Sequence, residues 1–259
     1  MGRLVPAVTR ALDILELFLD EHGDGTRSAP EVTRALRLPR TTVHELMTTL
    51  AARSYLVPVP ERPGRYRLGV RGYQLGSRYA EQSGLAAGAR HVVREVADGC
   101  GETVHVAVLD DLDIVYLAKA DPTPGPVCTV AAVGRRLPAH CTAVGKMLLA
   151  SLSQDEFDTR VDGRELTALT PASVTGHDTL RAQLAAVRDT GVAIEHHEAD
   201  PDVSCVAAPV RDGTGQVVAA LSIAVPTSRW TAEHGKRLAE SASRGADCLS
   251  AALGRRAPC

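Results

Sequence analysis

Arg40, Thr41, Thr42, His44 and Thr48 lie within one nine-residue stretch, and at helical spacing they form a single polar face. Such a face suits base-edge chemistry: an arginine fork matches guanine, and threonine can meet a phosphate or a thymine methyl. Arg62, Arg65 and Tyr66 follow in a turn-rich segment, where arginines would meet phosphate. Three later groups raise other possibilities. His196-His197-Glu198 with Asp200 and Asp202 suggests metal binding, but neighbours in a strand point to opposite faces, so a solvated loop edge is expected and no metal site. His140-Cys141 fails as a thiolate pair for the same geometric reason, leaving no catalytic set. Gly145-Lys146 is only a fragment of a phosphate loop, and its lysine is expected in solvent or in a structural ion pair. No dinucleotide or nucleoside-triphosphate signature accompanies it, so no cofactor is expected.

The elements that must position the polar face occupy the first eighty residues. Val8, Leu12, Leu15 and Leu19, with Ala11 and Phe18 beside them, predict an amphipathic helix over Val5–Leu19 with that stripe buried. Ser28 followed by Glu31 is a capping-box pattern opening a second helix to about Leu36. Pro39 suits the first turn of a third, Pro39–Arg53, with Val43, Leu46, Met47 and Leu50 inward. Two strands, Val57–Val59 and Tyr66–Leu68, flank Pro60–Arg65 and read as a basic wing. The pattern is that of a winged helix-turn-helix whose third helix enters a major groove.

Gly76–Val96 predicts one interdomain helix, packing either on a second copy or on its own C-terminal domain. Beyond it, strands are expected at Thr103–Leu109, Ile114–Ala118, Val127–Val133, Val192–His196, Val203–Arg211 and Val217–Val225. Tight turns at Asp110–Asp113 and Asp212–Gly215 make neighbours antiparallel. Helices are expected at Thr142–Leu152, at Asp178–Asp189 with Gly191 as its C-cap, and at Thr231–Leu253. The class is α+β, divided as residues 1–75 (winged helix-turn-helix), 76–98 (linker helix) and 99–255 (antiparallel sheet with flanking helices).

Composition agrees with a folded, two-domain chain: 259 residues, 44% hydrophobic and 23% charged. Residues 1–78 hold twelve arginines against eight carboxylates in a chain of net charge −2, so the basic end sits on an acidic body. The apolar runs Val203–Val210 and Val217–Val225 fall far short of the ~20 residues of a membrane span, and Met1–Arg10 lacks a signal-peptide core. A cytoplasmic protein without membrane partners is expected. Six cysteines at scattered positions, with no C-x-x-C pair, point to free thiols.

Val8-Thr9-Arg10-Ala11-Leu12-Asp13-Ile14-Leu15, Leu38-Pro39-Arg40-Thr41-Thr42-Val43-His44 and Gly64-Arg65-Tyr66-Arg67-Leu68-Gly69 resemble the N-terminal signatures of the isocitrate-lyase-regulator (IclR) family. Leu137–Ala150, and Gly191–Glu195 through Val203–Val210, resemble its C-terminal ones. Glu45 departs from the arginine often found there, and a carboxylate can accept from a cytosine amine but cannot contact phosphate. The resemblance implies a transcriptional regulator that binds double-stranded operator DNA as a homodimer or tetramer, with a GAF-like effector domain and no enzymatic activity. It also implies a pocket formed by Ala143, Val144, Glu195, Cys205, Ser222 and Ala224, with Val127 and Thr129 on the preceding strand. The helix start at Thr142-Ala143-Val144-Gly145 favours a small carboxylate in that pocket. Two rivals remain on the residues alone. A hydrolase with a fused helical cap would need a nucleophile, base and orienter, and a protein-binding winged helix would ignore DNA.

Overall fold

The structure, a computed structural model, describes residues 3–19, 24–122 and 132–254. It divides into two compact units at Gln82/Ser83.

In the first unit α1 (Pro6–Glu16), α2 (Ala29–Leu36) and α3 (Arg40–Ala52) enclose a core of Ile14, Phe18, Val32, Val43, Met47, Leu50 and Leu56. The capping box at α2 is present: the Ser28 amide donates to Glu31 Oε2 at 2.7 Å. A three-stranded sheet of order β1-β3-β2 forms the wing, from β1 (Arg27–Ser28), β2 (Leu56–Pro58) and β3 (Arg65–Leu68). The face of α1 that is buried differs from the expected stripe. Phe18, just past the end of the helix, is buried as expected and Leu15 is half-buried, but Ile14 points inward while Val8, Leu12 and Leu19 are exposed, because Ile14 gives the helix a second apolar line.

The expected interdomain helix is two helices. α4 (Val70–Gln82) ends the first unit and α5 (Gly84–Cys100) begins the second. Ser83 is extended and caps α5, its Oγ accepting from the Ala86 amide at 3.3 Å. Buried positions are absent from α4, while α5 packs through Ala89, Val92, Val93 and Ala97 into the core of its own unit.

The second unit is a six-stranded antiparallel sheet of order β6-β5-β4-β9-β8-β7: β4 (Thr103–Asp110), β5 (Asp113–Ala120), β6 (Arg136–Pro138), β7 (Ala193–His196), β8 (Val203–Arg211) and β9 (Val217–Pro226). Of the expected strand Val127–Val133, residues 127–131 lie outside the described residues. Val133 is exposed in a turn, and the next strand in the chain is β6. On one face Val104, Val106, Val206 and Leu221 meet α5 and α9 (Ala232–Ala252). The two helices cross closely at Gly245, where a Cβ would stand 2.7 Å from Val96 Cγ2. The opposite face, with Ala107, Ala193, Ala207 and Ala220, carries α6 (Ala143–Ala150), α7 (Gln154–Val161) and α8 (His177–Thr190). No helix among the described residues is long and apolar enough to cross a membrane.

Candidate functional site

Two sites emerge, one in each unit. In the first, α3 keeps Val43, Met47 and Leu50 inward, which turns Arg40, Thr41, His44, Glu45 and Thr48 to solvent and leaves Thr42 half-buried. Arg40 pairs with no described residue, so its guanidinium is available to a ligand.

The wing arginines are less free than the sequence alone suggests. Arg65 donates from Nε to Thr26 Oγ1 at 2.6 Å, from Nη2 to Thr26 O at 3.0 Å, and from Nη1 to Glu31 Oε1 at 3.1 Å. Arg62 is bound to Asp24, whose carboxyl the Thr26 hydroxyl and amide, together with Arg62, hold down to about 2. Tyr66 is half-buried against the core. Arg65 thus ties β3 to the start of α2, through the same Glu31 that caps that helix. Arg67, exposed on β3 and unpartnered among the described residues, is the wing cation left free.

In the second unit, Ala143, Val144, Glu195, Cys205, Ser222 and Ala224 line one cavity. Val127 and Thr129 lie outside the described residues. The register explains the convergence: Glu195 pairs with Cys205, Cys205 with Ala224, and Ser222 with His105, so small side chains on β8 and β9 form a floor under the start of α6. About 360 Å³ is empty when the mouth is included. A guest must be small, or the walls must yield.

The cavity's polar groups are few. Thr142 caps α6, its Oγ1 accepting from the Gly145 amide at 3.0 Å, and the first-turn amides of Ala143 and Val144 precede the helix's own ladder. Glu195 is 1% exposed; its Oε2 accepts from the Glu198 amide at 3.0 Å, while Oε1 has no partner. Burial raises its carboxyl to about 7, against the pull of the Glu198 amide and the Cys205 thiol. His105, 2% exposed, packs its ring against Tyr116 at a 51° tilt, with centroids 5.2 Å apart, and leaves Nε2 unpartnered. Burial first, then the Lys119 charge, lowers it to about 3, so the imidazole is neutral at physiological pH.

His105, Tyr116, Thr142, Ala199, Asp200 and Val203 also line the cavity, beyond the residues that the family resemblance points to. Strand alternation held a signal for His105, which shares the face of Thr103 opposite Ser222. Ala199 and Asp200 sit in the loop before β8, which no periodicity marks.

Lys146 resolves to the ion-pair alternative. It is 1% exposed and bound to Glu198. That overturns the solvated loop edge for Glu198, which is buried and also faces the Val174 amide at 3.4 Å. His196 and His197 do separate, one against Ser204 and Trp230, the other against the Pro201 carbonyl. Among the described residues no cluster of three or more His, Cys, Asp and Glu is placed to hold a metal.

Two family models match the chain: the IclR helix-turn-helix domain over residues 7–60 and the bacterial transcriptional regulator IclR C-terminal domain over residues 77–251. The HTH-type transcriptional regulator XynR of Escherichia coli is 32% identical over 253 residues, covering 97% of this chain and 98% of that protein. The KdgR regulator of the same organism is 29% identical over 250 residues, 96% and 93% of the two chains. Among solved structures, an IclR transcriptional regulator from Alicyclobacillus acidocaldarius superposes with a TM-score of 0.85 at 28% identity, covering 97% of this chain and all of that one.

Proposed function

Because the chain belongs to the IclR family of DNA-binding transcriptional regulators, whose C-terminal domain binds effectors, we propose that α3 reads operator DNA and that a small carboxylate in the β7-β8-β9 cavity modulates that binding. The observation that carries this reading is the unpartnered Arg40 at the exposed start of α3, on a helix whose other face is wholly committed to the core. No enzymatic family is indicated by the relatives, and the reading assigns the chain no catalysis. It acts in the cytoplasm, where the DNA is.

Exposed apolar side chains support a homodimer or tetramer: Val8 and Leu12 along α1, with Val5 just before it, and Val70, Tyr73 and Tyr79 along α4. Two copies would place two recognition helices on a two-fold operator, and the ligand would bias their spacing. The carboxylate reading rests on the free amides of α6, with a second, hydrogen-bonding group of the ligand facing Glu195.

Arg40→Ala should weaken specific operator binding by about 1–3 kcal/mol and relax base preference, as measured by titration at fixed salt. Arg65→Ala should act differently, lowering the stability of the first unit by about 1–2 kcal/mol through loss of its ties to Thr26 and Glu31. An Arg40→Ala variant with unchanged affinity and preference would remove α3 from the role of recognition helix.

A further inference from the structure

The cavity offers a carboxylate guest no cation. Among the described residues that line it there is neither lysine nor arginine, and two of them, Glu195 and Asp200, are acids. The nearest buried ammonium, Lys146, is already bound to Glu198. Glu195 and His105 stand at opposite ends of a floor made by Cys205, Ser222 and Ala224, on strands β7 and β4, three strand spacings or roughly 14 Å apart between backbones. Each has a buried polar atom without a partner, Oε1 of Glu195 and Nε2 of His105. Native proteins seldom leave such atoms bare, so both mark where a ligand's polar groups belong.

We propose that this pocket takes its carboxylate together with one proton, Glu195 binding as the neutral acid and donating its Oε1–H to the ligand. The inference rests on the carboxylate reading above. An ionised Glu195 beside an anionic guest would leave two like charges in a dry cavity, while the protonated acid turns a repelling acceptor into a donor. The other ionisable groups around it do not replace that proton. On the loop before β8, Glu198 and Asp200 are themselves acids; from α6, Lys146 is engaged by Glu198; from β8, the Cys205 side chain hydrogen-bonds the carboxyl but carries no positive charge; and from β4, His105 is a neutral imidazole that can hydrogen-bond but brings no charge. His196, the neighbour on β7, turns to Ser204 and Trp230 on the other side of the strand. Burial already holds the Glu195 carboxyl near neutrality, and the charge of the guest carries it further, above the pH range of the titration below.

The test titrates the full chain with acetate, glycolate and lactate, each ionised throughout pH 6–8.5, by calorimetry in two buffers of different ionisation enthalpy. At pH 8 close to one proton should be taken up per ligand bound, and the association constant should fall with pH above 7, steepening to roughly tenfold per unit by pH 8. Glu195→Gln, whose amide donates without titrating, should bind with no proton uptake and no slope. Binding by the wild type without uptake, or with proton release and tighter binding at high pH, would overturn the proposal and leave the carboxylate pocket standing. If Glu195→Gln keeps the slope, the proton goes elsewhere and the proposal falls. If none of the three acids binds or raises the Tm, the carboxylate reading and this inference fail together. The wild-type proton count decides the matter even where the variant does not fold.

Discussion

Lys146→Ala should cost the second unit about 3–5 kcal/mol, because it strands the Glu198 carboxylate without its cation in a site that is 5% exposed. Beyond Lys146, the described contacts of Glu198 Oε1 and Oε2 amount to the Val174 amide at 3.4 Å, too weak to replace an ammonium. The loss lies in the unpaired charge rather than in the pair's attraction. Replacing both partners with apolar residues, Lys146→Met with Glu198→Leu, should therefore recover most of it. Urea denaturation followed by circular dichroism measures both. A single variant within about 1 kcal/mol of the wild type would mean that Glu198 finds solvent, and that the loop at 197–202 is not packed as described.

Gly145→Ala should be at least as damaging, by about 3 kcal/mol or more. A Cβ at that position would overlap the carbonyl oxygen, Cα and carbonyl carbon of Ala139, in the short 3-10 turn Ala139–Cys141 that leads into α6. Backbone meets backbone there, so no rotamer change relieves the overlap. Separating the turn from the helix would also disturb Thr142, which caps α6 and borders the cavity, so ligand-induced stabilisation should fall with it. Gly72→Ala is the matching control. It sits in α4 with open space where the added methyl would stand, so the substitution should be neutral or stabilising by up to about 1 kcal/mol. Equal, small effects at the two glycines would contradict the close approach of α6 to the turn.

Local signals made much of this legible. The Ser28/Glu31 box, the turn at Asp212–Gly215 and the strand Val203–Arg211 are written in neighbouring residues, and each appears where the pattern puts it. Six pocket residues converge because strand alternation and a helix start carry them to one face. What failed to read locally depends on distant partners. The burial of Lys146 needs Glu198, fifty-two positions away, and the structural role of Arg65 needs Thr26 and Glu31. In α1, apolar residues on two lines left the inward one undetermined, and only the packing of Ile14 against α3 chooses it. The break at Ser83 was hidden because the helical pattern runs on through it. α7 escaped because Phe157 and Val161 alone mark its inner side.

The most direct test of the central claim is selection of bound duplexes from a random-sequence pool, followed by anisotropy titration of the enriched site at fixed salt, with wild type and Arg40→Ala in parallel. One enriched motif is expected, with two related half-sites about one helical turn apart, bound at least about a thousandfold more tightly than unrelated DNA, with that preference reduced in Arg40→Ala. Enrichment of no sequence, with all duplexes bound equally weakly by both proteins, would contradict it.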